Sequence, residues 1–355
     1  MKKHRVAHLG LGGRGTVHAN AFLELEDRYD LAGLCELREE RLKEYCAEKR
    51  LSPSLCYTSC EKMLAETRPE VLCFITQPDV RLSMVKLAAK YGVKAIALEK
   101  PMATSLKEAA EIHEICGQHR IKGVVSHQQK YLTSFQKLKE IVESGRIGKI
   151  YLITASCQAW LSQLGTHFVD YTLWINNFKK ADWVVGHVHG KELLSDHHPS
   201  PNYVMGQIGF ENGVRAFVEF GKLSASHMDK SMFWVDNRLT VYGSNGNAWA
   251  ETNGRWGALL NGRILEEQGE DWGTQECRRL QPLYFRDFAD WLDGTILDHP
   301  CNLEYAYHGY EIMEALCISA MNHIRVDLPL DTGNMQDIFA RMREELPECP
   351  ERTSQ

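Results

Sequence analysis

The sequence predicts an N-terminal α/β domain with a parallel sheet, joined to an α+β domain with a large, open-faced, mainly antiparallel sheet. Three observations lead there. Before Ser126, short apolar runs alternate with amphipathic helical stretches, the rhythm of β-α-β units. A glycine cluster, Gly10-Leu11-Gly12-Gly13-Arg14-Gly15, separates the first run from the first helical stretch. After Ser126 the runs lengthen and alternate apolar with polar residues, as strands with one solvent face do.

In order, strands are predicted at Arg5–Leu9, Leu31–Cys35, Val71–Ile75, Ala95–Leu98 and Gly123–Ser126. Helical patterns fall between and after them near 15–25, 38–49, 60–65, 80–90 and 106–119. A helix over 132–143 ends at Ser144-Gly145, where glycine supplies a left-handed cap. Alternating segments follow at 149–156, 183–189, 203–210, 214–220, 238–242 and 248–251. Turns at Glu211-Asn212-Gly213 and Gly243-Ser244-Asn245-Gly246 suit tight hairpins, because Asn and Gly tolerate positive φ. Helices over 283–293 and 304–323 precede a polar, frayed tail. The expected division is a first domain over 1–125, a second over 126–340, and the tail over 341–355.

Composition narrows the function. The 355 residues, 44% hydrophobic and 25% charged, suit two packed domains. A formal net charge of -6 offers no field for a polyanionic backbone, so no nucleic acid partner is expected. No run reaches the roughly 18 apolar residues of a membrane span, and the start Met1-Lys2-Lys3-His4-Arg5 leads into a strand pattern, so no membrane partner and a cytoplasmic location are expected. Eleven cysteines without a Cys-x-x-Cys pair read as buried thiols. His187 and His189 on a strand, and His197-His198 in a loop, lack a carboxylate at ligand spacing, so no metal site is expected.

The glycine cluster is a G-x-G-x-x-G in strand-turn-helix context. Gly10 allows the turn, Gly12 lets a pyrophosphate approach the backbone, and Gly15 lets the helix pack on the strand; Gly13 and Arg14 complete the loop. Glu36 follows the second strand, where an acidic side chain takes the adenosine ribose hydroxyls. A carboxylate there repels a 2′-phosphate, so NAD is the expected cofactor, although Arg38 and Arg41 just beyond soften that preference.

The strand Ala95–Leu98 ends in Glu99-Lys100-Pro101. Loops at the carboxyl ends of parallel strands hold the ligand of an open α/β sheet, which points Lys100 at the nicotinamide. Beside a positive ring and partly dehydrated, its pKa would fall, suiting it to hydrogen-bond or trade a proton with a hydroxyl. Thr76 and Glu99 lie in the same set of strand-end loops. Here the chain resembles the glucose-fructose oxidoreductase / inositol dehydrogenase (Gfo/Idh/MocA) family. The resemblance spans nearly the whole chain: the glycine loop, Val71–Pro78, Glu99-Lys100-Pro101, Leu138–Ile150, Gly165–Trp174, Gly209–Val214, Val241–Gly246 and Asp327-Leu328-Pro329-Leu330.

That resemblance implies a Rossmann domain, a nicotinamide cofactor, and a second domain whose open sheet pairs subunits into a homodimer or homotetramer. Lys100 matches the lysine of the family's E-K-P motif, and His167 the histidine of its D-x-x-x-H pattern, the group that exchanges a proton during hydride transfer. Gln163 stands where that pattern carries aspartate; it can bond a hydroxyl but holds no charge. Asp170 either orients His167 or a hydroxyl, or supports the local helix. Arg81, where relatives often carry histidine, either contacts the cofactor or caps the next helix. Gln128 and Lys130, in the link between domains, and Trp160 or Trp234, as apolar platforms for a pyranose, complete the substrate candidates, while His127 reads as packing.

The leading expectation is NAD-dependent hydride transfer at a secondary hydroxyl of a sugar, cyclitol or glycoside. Two rivals stay open: a redox-assisted glycosidase that retains NAD, and a non-catalytic regulatory protein that binds NAD and sugar.

Overall fold

A computed structural model describes residues 2–228, 232–270, 277–334 and 337–349. The chain forms two compact units. One comprises 1–103, 108–128 and 277–307; the other comprises 104–107, 129–276 and 308–355.

In the first unit, strands β1 (His4–Leu9), β2 (Tyr29–Cys35), β3 (Cys56–Tyr57), β4 (Val71–Phe74), β5 (Ala95–Leu98) and β6 (Lys122–Val125) form one sheet in the order β3-β2-β1-β4-β5-β6. Every pairing in it is parallel. Helices α1 (Gly13–Glu24), α2 (Glu39–Glu48), α3 (Cys60–Thr67), α4 (Arg81–Lys90) and α5 (Leu106–His119) make the crossovers. The order reverses between β1 and β4, so the loops after these strands lie at the switch point where such sheets bind ligands, and the loop after β5 is next to them. The strands read as continuous apolar runs because both faces are covered: all four residues of β4 and of β5 are buried.

Helix α8 (Cys277–Leu292) belongs to this unit; it starts six residues before the predicted start at Leu283 and runs through Pro282. It packs on α1 and β2: the Phe285 ring lies 4.1 Å from that of Phe22, and Tyr29 O–H donates to the Phe285 carbonyl at 2.7 Å. Arg28, 1% exposed, pairs with Asp290 and with Asp293 (2.8 Å). Burial lowers the tendency of its guanidinium to stay charged, but the two carboxylates more than restore it. Removing the cation leaves two acidic groups facing each other. Because both carboxylates keep some solvent, Arg28→Met is expected to cost about 2–3 kcal/mol, below the full value for a buried pair. A urea midpoint unchanged from wild type would contradict this.

A short turn over Gln128–Tyr131 leads into α6 (Thr133–Glu143) of the second unit. Strands β7 (Ile150–Cys157), β8 (Ala181–His189), β9 (Tyr203–Phe210), β10 (Arg215–Gly221), β11 (Asn237–Gly243), β12 (Gly246–Ala250), β13 (Arg255–Leu260), β14 (Arg263–Gln268) and β15 (Val326–Asp327) build a sheet ordered β14-β13-β12-β11-β7-β10-β9-β8-β15. It is antiparallel except where β10 pairs with β7. Helix α7 (Thr166–Ile175) packs near β7 and β11. On α9 (Leu303–Asn322), Leu316 sits against Gly186 and Gly206, paired across β8 and β9: a Cβ on Gly186 would lie 2.1 Å from the Leu316 carbonyl oxygen. Only glycine permits that approach.

Of the expected frayed tail, residues 341–345 lie in a helix, and 350–355 lie outside the described residues. Residues Ile338–Glu345 form α10, N-capped by Asp337, whose carboxylate accepts from Ala340 N at 3.0 Å. Ile338, Phe339 and Met342 are buried, an i, i+1, i+4 apolar stripe that holds the helix despite its polar composition.

Candidate active site

At the end of β1, Gly10 takes φ +94°, and a Cβ there would lie 2.3 Å from the Ile75 carbonyl oxygen; one on Gly15 would lie 2.1 Å from that of Gly10. Glycine is required at both positions by backbone packing. At Gly12 and Gly13 a Cβ meets nothing within 4 Å, so the amides at the start of α1 border open space, as a pyrophosphate needs. The Thr76 hydroxyl, at the end of β4, is buried and has no hydrogen-bond partner among the described residues. The Glu36 carboxylate at the end of β2 accepts from Leu11 N (2.9 Å) and Arg38 N (3.1 Å). Burial pushes its pKa up, but these N–H groups and the nearby arginines outweigh that and bring it below the ordinary range. Each oxygen retains lone-pair capacity for a further donor. The Arg38 guanidinium is exposed and approaches Glu36 only to 3.9 Å. These features fit a dinucleotide: the chain's glycine turn would hold its phosphates and Glu36 its ribose.

Lys100 follows β5 in a cis Lys100–Pro101 peptide. Beneath this turn lies a polar network that the sequence reading did not find. Glu99, 7% exposed, faces His18 Nε2 at 3.1 Å and Arg14 Nε at 3.5 Å, and its other oxygen accepts from Lys100 N at 3.2 Å. Burial raises the Glu99 pKa, yet the His18 bond and the charges of Arg14 and Lys100 hold it well below its ordinary value. Burial lowers the pKa of His18 more than Glu99 raises it. A neutral His18 therefore donates Nε2–H to Glu99, while its Nδ1 accepts from Gln281 Nε2 at 3.3 Å. His8 bonds the Gly10 carbonyl at 2.8 Å, with its pKa lowered to about 3 by burial and by His18. Separations of 81 and 263 residues explain why no local pattern revealed these partners.

Arg81 supports the loops from beneath. It is 2% exposed and donates to the Thr76 carbonyl at 2.9 Å and the Lys100 carbonyl at 3.5 Å. Gln128 is buried; with its nitrogen donating to the Ser126 carbonyl (2.5 Å), its oxygen accepts from Arg14 (2.5 Å).

In the second unit, His167 opens α7 and is 3% exposed. Its Nδ1 lies 2.8 Å from the Tyr171 hydroxyl, which donates to Gln129 Oε1 at 3.1 Å. Asp170 and Lys130, both expected to meet substrate, face one another at 2.6 Å with 1% and 0% of their side chains exposed. Sequence reading named His167, Asp170 and Lys130 but missed Tyr171 and Gln129; the spacing of four from His167 to Tyr171 was the available signal. Gln163 does not share an α-helical face with His167. It lies in a π-helical turn, Leu161–Gly165, whose Gln163, Leu164 and Gly165 N–H groups all donate to the Trp160 carbonyl. The Trp160 ring stacks on Phe233 at 5.8 Å, and its indole nitrogen is buried without a hydrogen-bond partner among the described residues. Trp234 is 40% exposed. His127 is buried. Among the described residues, no group of three or more His, Cys, Asp or Glu could hold a metal ion, and no helix is long and apolar enough to cross a membrane.

A sheet of this order, with a glycine turn after β1 and an acidic residue after β2, defines a dinucleotide-binding Rossmann domain. The model for the oxidoreductase family with an NAD-binding Rossmann fold matches residues 4–127, and that for the GFO/IDH/MocA C-terminal domain matches 135–249. The chain belongs to the Gfo/Idh/MocA family. It is 23% identical over 276 residues to the myo-inositol 2-dehydrogenase of Thermotoga maritima, covering 75% of this chain and 79% of that one. It shares its fold with levoglucosan dehydrogenase, solved with NADH and levoglucosan (TM-score 0.77, 15% identity, 93% of this chain and 100% of that one). The fold also matches the WlbA dehydrogenase of Bordetella pertussis, solved with NADH and UDP-GlcNAcA (TM-score 0.72, 18% identity, 93% and 100%).

Proposed function

We propose that this protein uses NAD to oxidise, reversibly, a secondary hydroxyl of a sugar, cyclitol or glycoside. The observation that carries the reading is His167, buried and held by Tyr171 in the segment that matches the family's catalytic pattern. NAD supplies hydride acceptance; His167 exchanges the hydroxyl proton, and Lys100 polarises the oxygen. Gly10, Gly12, Gly13, Arg14, Gly15, Glu36, Arg38, Thr76 and Glu99 form the cofactor side. Gln163, Asp170, Gln128, Lys130 and Trp160 are the proposed substrate residues, of which Asp170 and Lys130 pair with one another. The activity of the inositol dehydrogenase relative supports the substrate class. Adding sugars, inositols and glycosides to the protein with NAD, while following NADH absorbance and products, tests the reading. NADH formed with one polyol supports it. Free sugar released from a glycoside without net reduction favours the redox-assisted glycosidase instead.

Glu36→Ala removes a charged acceptor worth about 1.5–3 kcal/mol, so NAD affinity is expected to fall roughly 10- to 100-fold while NADP binding gains relative to it. Calorimetric titration of both cofactors reads this, and an unchanged NAD:NADP ratio would remove Glu36 from the ribose site.

The open face of the second sheet carries Val185, Gln207, Phe217, Thr154, Thr240 and Trp249 in one register row, with Val185, Met205 and Phe217 more than two-fifths exposed. This face is proposed to pair with a second copy in a homodimer or homotetramer. Light scattering should give a multiple of the 40.5 kDa chain, and a smaller one for Phe217→Glu. A wild-type mass of one chain sinks this proposal.

A further inference from the structure

Two consecutive residues of α7 are held by two consecutive residues of the turn before α6. Lys130 faces Asp170 at 2.6 Å, and Gln129 accepts from the Tyr171 hydroxyl at 3.1 Å. The second bond has a consequence for His167. A phenol has one O–H, and an amide oxygen can only accept. With its proton committed to Gln129, the Tyr171 oxygen meets His167 Nδ1, 2.8 Å away, as an acceptor. Nδ1 must then carry the imidazole proton, and in the neutral ring Nε2 presents a lone pair.

We propose that Tyr171 and Gln129 are positioning residues that fix His167 as its Nδ1–H tautomer, making Nε2 the atom that accepts the substrate hydroxyl proton. The catalytic meaning rests on the function proposed above; the tautomer does not. In the oxidation direction the hydroxyl O–H bond breaks as N–H forms at Nε2, and the carbon-bound hydrogen leaves as hydride with NAD as the oxidant. The imidazolium so formed keeps the Tyr171 oxygen as acceptor for Nδ1–H. That contact gives the imidazolium an orienting partner in a chain that has neutral Gln163 where the family pattern places aspartate.

The relay also makes Gln129 a switch. Gln129→Met keeps similar bulk but removes the acceptor, which frees the Tyr171 proton to turn toward Nδ1 and drives His167 to the Nε2–H form. Tyr171→Phe removes an acceptor that serves the charged ring more strongly than the neutral one. The pH at which kcat/KM rises is expected to move down by about one unit.

The direct test is nitrogen NMR of the full-length protein with NAD present and histidines labelled with ¹⁵N, the His167 signals being identified by their loss in His167→Asn. The expected spectrum at neutral pH shows Nδ1 protonated and Nε2 bare, inverted in Gln129→Met. A wild-type Nε2–H form, or a tautomer indifferent to Gln129→Met, overturns the proposal. Should Gln129→Met fail to fold, the wild-type spectrum and the Tyr171→Phe profile decide it, an unmoved profile counting against. An Nδ1–H form in a protein that turns over no polyol would remove the proposed function and leave this assignment standing.

Discussion

Replacing His167 by asparagine is expected to lower kcat/KM for the oxidised polyol by about 10²- to 10⁴-fold, the usual worth of a positioned general base. NAD affinity should stay within about twofold, because the residues proposed to hold the dinucleotide belong to the other compact unit. The variant should also fold, since the asparagine amide can still donate toward the Tyr171 oxygen. Steady-state kinetics and a cofactor titration on the same preparation separate these effects. A loss of NAD binding equal to the loss of rate would mean that His167 serves structure, and a retained rate would assign the proton to another group.

The second large effect is expected at Gly15. An alanine Cβ there would stand 2.1 Å from the Gly10 carbonyl oxygen and 2.8 Å from its carbon, and both are backbone atoms that no rotamer change can move. Either α1 shifts away from β1 or the glycine turn opens, and each disturbs the amides at the helix start. Gly15→Ala should therefore cost about 1–3 kcal/mol of stability, the range for overpacking, and reduce NAD affinity at least tenfold. Gly13→Ala is the matched control, since its Cβ meets nothing within 4 Å. Equal NAD affinity in Gly15→Ala and wild type would contradict the close-packing account.

The parallel sheet was legible because its strands are buried on both faces and read as unbroken apolar runs, as in Val71–Phe74 and Ala95–Leu98. Motifs confined to one turn, the glycine loop and Glu99-Lys100-Pro101, were legible for the same reason: their chemistry lies in adjacent residues. Strands β13 and β14 escaped notice. All six residues of β14 are exposed, so its composition carries no burial signal, and its pairing comes from backbone bonds to β13. The parallel match of β10 with β7 depends on a crossover that no local pattern encodes. At the site, the bonds of His18 to Glu99 and of Tyr171 to Gln129 join residues 81 and 42 positions apart. Asp170 was seen as a neighbour of His167 on one helix, whereas its partner came from the preceding turn.

The measurement that bears most directly on the central claim is NADH formation by the full-length protein with NAD and a panel of sugars, cyclitols and glycosides, run beside His167→Asn. The account predicts that at least one hydroxyl compound reduces the cofactor with wild type and that the variant loses that activity while still binding NAD. Firm NAD binding with no reduction and no product from any compound, identical in wild type and variant, would contradict it and leave a protein that binds NAD without using it.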